Sequence, residues 1–282
     1  MSIPLVSICI PTYNGEEFLE EALKSIEQQT YKNIEVIVSD DNSTDTTLFI
    51  CQQFKNRVNF PVHIYSHNQT NIGANWDYSI KHSKGDYIKF LFQDDLLNPK
   101  CIEIMMSYLE KNKLEIVFCK REIIDEKGKL STSDFLIRFG DLQKGINLTT
   151  HDFYLFNKSD LHLLGSVKQN SLQYNFLGEP VTSLFSRKLY DQIGDFESPL
   201  KQFLDLEYWL RVLNKFPIGI ISEKLISFRV HDKQASNVNF NNKVNEVNYI
   251  ERLIIKNFFF YLSFTQQKKI LKKILKIFLS RT

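Results

Sequence analysis

The chain has 282 residues, 43% hydrophobic and 24% charged with only ten glycines, which suffices for a sizeable core and excludes a disordered or fibrous protein. A net charge of +2 lacks the basic excess by which nucleic-acid binders track phosphates, so no nucleic-acid partner is expected. The four cysteines, Cys9, Cys51, Cys101 and Cys119, are widely spaced and suit neither a metal-binding pair nor a disulfide framework. They read as reduced core residues.

In chain order, the opening MSIPLVSICIPTYN has no basic leader and no small-residue cleavage site. It reads as a strand rather than a signal peptide, which points to the cytoplasm. The next stretch, GEEFLEEALKSIEQQ, places Phe18, Leu19, Ala22, Leu23 and Ile26 on one helical face with acids in its first turn. IEVIVSDD repeats the strand signal, and STDTTLFICQQF opens on a Ser43 or Thr44 cap and continues as a helix. VHIYSHN, DYIKFLFQDD and LEIVFCKREII read as three further strands, with NWDYSIKHS and CIEIMMSYLEKN as the helices between them. Strand and helix alternating at this spacing predict an α/β, Rossmann-like fold: a mostly parallel sheet flanked by helices. In such sheets ligands bind beyond the carboxyl ends of the strands, and there the sequence gathers four polar loops, PTYN, SDDNSTD, SHNQTN and QDD.

From Asp125 to Gly178 the pattern is irregular and reads as loops over the sheet that set substrate specificity. Order returns with VTSLFSRKLYDQIGDF, the amphipathic LDLEYWLRVLNKF and GIISEKLISFRVHD. After an asparagine-rich stretch the chain ends in KKILKKILKIFLSR, where an apolar stripe runs beside five lysines. That helix suits either the surface of an anionic bilayer or a packed position on the domain with its lysines in water. The run LIIKNFFFYL is too short to cross a bilayer, which takes about 20 apolar residues.

The chemistry turns on KFLFQDDLLNP, in which an apolar strand ends in two adjacent carboxylates, Asp94 and Asp95. Side-by-side acids there are costly unless something positive compensates them. The glycine-rich cradles for phosphate, GxGxxG and GxxxxGK, are both absent, since the first loop PTYNGEEF holds a single glycine and is acidic. A divalent cation on the acid pair is one account, and a turn-forming or helix-capping role is the other.

SICIPTYN, EVIVSDDNSTD, NIGANW, KGDYIKFLFQDD, IGDFE, FLDLEYWLR and FRVHD together resemble the family-two glycosyltransferases of GT-A fold, inverting enzymes that use nucleotide sugars. The resemblance runs in the family's order from Val6 to about Ser236, which marks residues 1–236 as a catalytic domain and 237–282 as a helical extension. It implies that Pro11, Thr12 and Tyr13 border the nucleotide base and that Asp40 accepts from the pyrimidine ring N–H. Asn71 and Gly73 match the loop that closes on the nucleotide. Asp94 is placed near the ribose or the metal's waters, and Asp95 and His231 become ligands of Mn²⁺ or Mg²⁺. Asp205 matches the catalytic acid that serves as general base, with Glu207 second in rank.

Two departures are visible: Gln93 stands where many members carry an acid, and NIGANWDYS lacks an arginine that many relatives have. The implied partners are a nucleotide-sugar donor, UDP-linked, and a saccharide or lipid-linked saccharide acceptor in bacterial surface polysaccharide assembly. The site of action would be the cytoplasm or the inner face of the plasma membrane. Competing readings are a non-catalytic nucleotide-sugar-binding or scaffold protein and a nucleotidyltransferase.

Overall fold

The computed structural model describes residues 3–131, 142–143, 152–166, 175–197, 199–242 and 244–279. About half of the irregular region assigned to specificity, residues 132–141, 144–151 and 167–174, lies outside them. Among the described residues the first half follows the expected alternation: β1 (Val6–Thr12), α1 (Leu19–Glu27), β2 (Ile34–Asp40), α2 (Thr47–Arg57), β3 (Val62–Ser66), α3 (Ile72–Lys81) and β4 (Tyr87–Phe90). β5 (Leu96–Leu97), α4 (Cys101–Asn112), β6 (Ile116–Ile124) and β7 (Phe153–Phe156) follow. β8 (Ser183–Ser186), α5 (Arg187–Ile193), α6 (Leu204–Lys215), β9 (Ile218–Arg229), α7 (Ala235–Asn241), α8 (Val247–Phe258) and α9 (Phe264–Leu279) complete the chain.

The strands join one sheet in the order β3-β2-β1-β4-β8-β6-β9-β5, with β7 against the early part of β9. β3, β2, β1 and β4 are mutually parallel, as expected of strands joined by crossover helices. Beyond β4 the sheet is mixed, because β8 is inserted antiparallel between β4 and β6, and β5 and β7 flank β9 antiparallel. β6 and β9 pair parallel and run in the same direction as β1 to β4, so the predicted parallel direction holds for six of the nine strands and β5, β7 and β8 run against it. The second half is entered by strands arriving from outside the regular alternation.

Side chains alternate across the pleat. Ile8, Val36, Val117 and Leu184 join the core under α1, α2 and α4, whereas Cys9, Ile37, Phe118 and Phe185 join the core under α3, α5 and α6. This second core also takes in Ile250, Ile254, Phe258, Leu262 and Ile270, so α8 and α9 share apolar packing with Trp209 of α6. The four cysteines are free and buried. Among the described residues no helix is long and apolar enough to cross a membrane.

Candidate active site

The rim is built first from the ends of β1 and β2, which the parallel register sets side by side at Thr12 and Asp40. Thr12 Oγ1 donates to Asp40 Oδ2 at 2.9 Å, and Ser43 donates to the same carboxylate from its hydroxyl at 2.5 Å and its backbone N–H at 2.9 Å. Asp40 is fully buried and knits two loops together, with one acceptor position left on Oδ1. Pro11 and Thr12 are buried at the strand end and Tyr13 is exposed. Of the PTYN residues expected at the base, only Tyr13 presents its ring to solvent.

Gln93 accounts for its own departure from the family pattern. Its Oε1 accepts from Tyr13 N–H at 2.9 Å and its Nε2 donates to Tyr13 carbonyl at 3.2 Å. An acid has no donor for the second contact, so the amide is the group that clamps both backbone atoms. Asn71 caps α3 by accepting from Ala74 N–H at 3.0 Å, and Gly73 lies buried in the first turn of that helix. Asn75, which sequence reasoning passed over, accepts from Ser39 Oγ at 2.6 Å and lies 3.3 Å from His67 Nε2, tying the ends of β2 and β3 to α3.

The acid pair at the end of KFLFQDD is held by the fully buried Arg229 through backbone contacts, while the positive charge that acts on the Asp95 carboxylate is that of Arg121. The Arg229 backbone N–H donates to Asp95 Oδ1 at 3.0 Å, its Nε donates to the Asp94 carbonyl at 2.9 Å, and its guanidinium pairs with Glu21 at 2.6 Å over the Phe18 ring. Asp94 Oδ2 shares a 2.9 Å hydrogen bond with His231 Nε2, so two residues the resemblance nominated are brought together. Burial, and then the charge of Asp94, push the Asp95 carboxyl well above the ordinary carboxylate range. Asp95 Oδ2 is buried with no hydrogen-bond partner. An unmatched carboxylate oxygen, next in sequence to a carboxylate paired with an imidazole, is the kind of oxygen donor that a hard divalent cation takes. Among the described residues no three His, Cys, Asp or Glu side chains converge closely enough to hold a metal by themselves.

Asp205 sits in the first turn of α6, where the helix N-terminus favours acids. Its Oδ1 accepts from Leu206 N–H at 2.7 Å and its Oδ2 from Asn175 Nδ2 at 2.6 Å. Asn175 also bonds both backbone groups of Gly178, at 2.8 and 3.1 Å, and Trp209 Nε1 donates to the Gly178 carbonyl at 3.0 Å. Gly178 adopts φ +129°, and a Cβ there would approach Thr182 Oγ1 at 2.3 Å, so the turn requires glycine.

The next residue, Glu179, forms a forked pair with Arg121 at 2.7 and 2.8 Å. Burial, and then the charge of Glu179, push Asp205 up to about 7, against the pull of the Leu206 and Asn175 hydrogen bonds. Glu179 raises Asp95 as well, so one carboxylate acts on both halves of the rim. Glu207 is buried and held by Arg211 at 2.8 Å, whereas Asp205 is only half-buried. Sequence reasoning missed Asn175 and Arg121. The one legible signal was Arg121, a charged residue in step with Val117, Cys119 and Ile123 on a buried face.

The family description "Glycosyl transferase family 2" matches residues 7–165. An uncharacterized glycosyltransferase of Rickettsia typhi is 35% identical over 240 residues, which is 84% of this chain and 68% of the relative. The chain belongs to glycosyltransferase family 2. The abequosyltransferase RfbV of Salmonella typhimurium is 33% identical over 159 residues, covering 55% of this chain and 45% of that protein. In structure the chain is similar to S. aureus TarS 1–349 in complex with UDP-GlcNAc, with a TM-score of 0.66 at 18% identity, over 96% of this chain and 71% of that one. It is also similar to the mannosyltransferase PcManGT of Pyrobaculum calidifontis in complex with GDP-Man and Mn²⁺, with a TM-score of 0.56 at 16% identity over 79% and 55% of the two chains. At these identities the likeness establishes the GT-A fold, and this glycosyltransferase carries it.

Proposed function

We propose that this glycosyltransferase moves one hexosyl or N-acetylhexosaminyl unit from a UDP-sugar to a hydroxyl of a saccharide or lipid-linked saccharide, inverting the anomeric centre, during assembly of bacterial capsule, O-antigen or lipopolysaccharide. The observation that carries the reading is Asp205: a carboxylate hydrogen-bonded at the rim, pushed up to about 7, is poised to take a proton near neutral pH. The acceptor hydroxyl would give its proton to Asp205 as its oxygen attacks the anomeric carbon, and the leaving nucleoside diphosphate departs from the opposite face. No enzyme nucleophile is required. The abequosyltransferase name of one relative supports the surface-polysaccharide context.

On the donor side, Tyr13 would lie against the base, and Asp40 would use its remaining acceptor position for the ring N–H while keeping the first two loops joined. Asn71 and Gly73 open α3 at the same rim. Mn²⁺ or Mg²⁺ would be held by Asp95 and His231 with Asp94 alongside, and when bound it supplies neutralisation of diphosphate charge. Arg229 fixes the backbone that carries both acids and so sets where that charge is met.

The test is calorimetric titration with UDP, GDP and dTDP, with and without Mn²⁺, followed by assay of UDP-sugar hydrolysis. Metal-dependent binding of UDP alone, lost in Asp95→Ala, is the expected result. Absence of binding for every nucleoside diphosphate would overturn the donor reading.

A further inference from the structure

The C-terminal helices carry a feature that sugar transfer does not use. From Arg252 to Thr282 the chain has eight lysines and arginines and no aspartate or glutamate, whereas the first 251 residues hold 27 basic and 33 acidic residues. The slight positive charge of the whole chain thus conceals an acidic body with a basic end. Within α9, Gln266 and Ile270 face the domain and are buried, and Lys273 pairs with Glu251 of α8.

The opposite face is apolar a second time. Phe264, Leu271 and Leu275 are 79%, 56% and 59% exposed and recur at i, i+7 and i+11, which brings them within about 40° of one another around the helix. Exposed Lys268 and Lys272 stand at i+4 and i+8 beside that stripe. Just before α9, Phe260 is 89% exposed, with Arg252 and Lys256 exposed on the preceding two turns. A helix that merely packs on a domain needs one apolar face. This one has two, and the outer one has cations along one flank.

We propose that the outer face formed by Phe264, Leu271 and Leu275, with the exposed Phe260 just ahead of it, docks the chain on an anionic phospholipid bilayer, with α9 lying in the interface plane. The aromatic and aliphatic side chains would enter the headgroup–acyl boundary and Lys268 and Lys272 would meet lipid phosphates. A second copy of the chain is the poorer occupant, because a two-fold contact sets this basic segment against itself and like charges repel across an interface. The proposal does not depend on which donor or acceptor the site uses.

The experiment is sedimentation of the full chain with vesicles of phosphatidylcholine alone and of phosphatidylcholine with one third phosphatidylglycerol, at low and high salt. The expected result is binding to the anionic vesicles that weakens with salt. It should fall roughly tenfold or more in Lys268→Glu/Lys272→Glu, since each juxtamembrane cation contributes on the order of 1 kcal/mol. In Phe264→Ser/Leu271→Ser/Leu275→Ser it should be lost at either salt. Both variants leave Ile270 and Gln266 in place, so their melting temperatures should match the parent. Equal partition onto the two vesicle types, unchanged binding by the variants, or a dimer that the serine variant converts to monomer without vesicle binding would each overturn the proposal.

Discussion

The half of the rim proposed to take the donor and the half that holds Asp205 are assembled in opposite ways. On the donor side parallel neighbours β1, β2 and β3 end level with one another, and each loop is tied to the next in sheet order: Thr12 to Asp40, Asn14 to Thr44, Asp41 to Thr70. On the other side Asp205 is positioned by residues 30 positions away, and the charge that raises it is clamped by Arg121, 58 positions from Glu179. The first arrangement spreads its load over many short hydrogen bonds. The second concentrates it on one buried ion pair, so there a single change can shift the chemistry.

The largest expected effect is on the concentrated side. Asp205→Asn should keep UDP affinity within a factor of about two while lowering transfer by roughly 10²–10⁴-fold, the usual span for loss of a general base. Paired calorimetry and initial rates measure the two quantities, and full turnover in the variant would remove Asp205 as the base. On the donor side Asp95→Ala should lower UDP affinity at least roughly tenfold in Mn²⁺ and little in its absence.

Breaking the ion pair tests whether Glu179 sets the pH at which the base works. Because the base must be deprotonated, kcat/KM should rise with pH through a midpoint at about 7. Glu179→Gln removes the second-largest cause of the upward shift, so the midpoint should move to lower pH, and a merely structural residue would leave it in place. Arg121→Leu leaves Glu179 largely buried without its guanidinium and should cost about 3 kcal/mol in denaturant unfolding. Stability carries the opposite sign from activity. Between the ordinary carboxylate range and about 7 the folded chain holds a proton on Asp205 that the unfolded chain has released. This group's contribution therefore falls as pH rises across that window, and Asp205→Asn should flatten the dependence.

The same contrast governs what could be read in advance. β1 to β4, β6 and the helices between them were legible because each alternates or repeats on its own, and the acids at their ends stand out against apolar runs, whereas the two-residue β5 was not predicted. β8 was not, because four residues of SLFS carry no period that separates a strand from the start of a helix, and their antiparallel place is fixed by β4 and β6. Asp205 and His231 came from resemblance. Asn175 and Glu179 act only through partners that the fold brings in from a distance, and Arg229 is a basic residue whose burial beside Asp94 and Asp95 no local pattern declares.

The smallest effect is the sharpest test of the donor side's redundancy. Gln93 grips both backbone atoms of Tyr13, and Gly15 leaves the room for it, since a Cβ at Gly15 would meet Gln93 Oε1 at 2.3 Å. Gln93→Leu keeps the bulk and removes both hydrogen bonds, for about 1 kcal/mol of stability at a partly exposed site. With Thr12, Asp40 and Ser43 still joined, the loop should loosen rather than collapse. KM for the donor should then rise a few-fold with kcat unchanged, because the lost contact serves binding in the ground and transition states alike. Gln93→Glu should do no better, because a carboxylate offers Tyr13 N–H an acceptor but repels the Tyr13 carbonyl. A fall in kcat at constant KM would mean that Gln93 acts on the leaving diphosphate through Asp94 and Asp95, and the donor rim would then depend on a single residue just as the other side does.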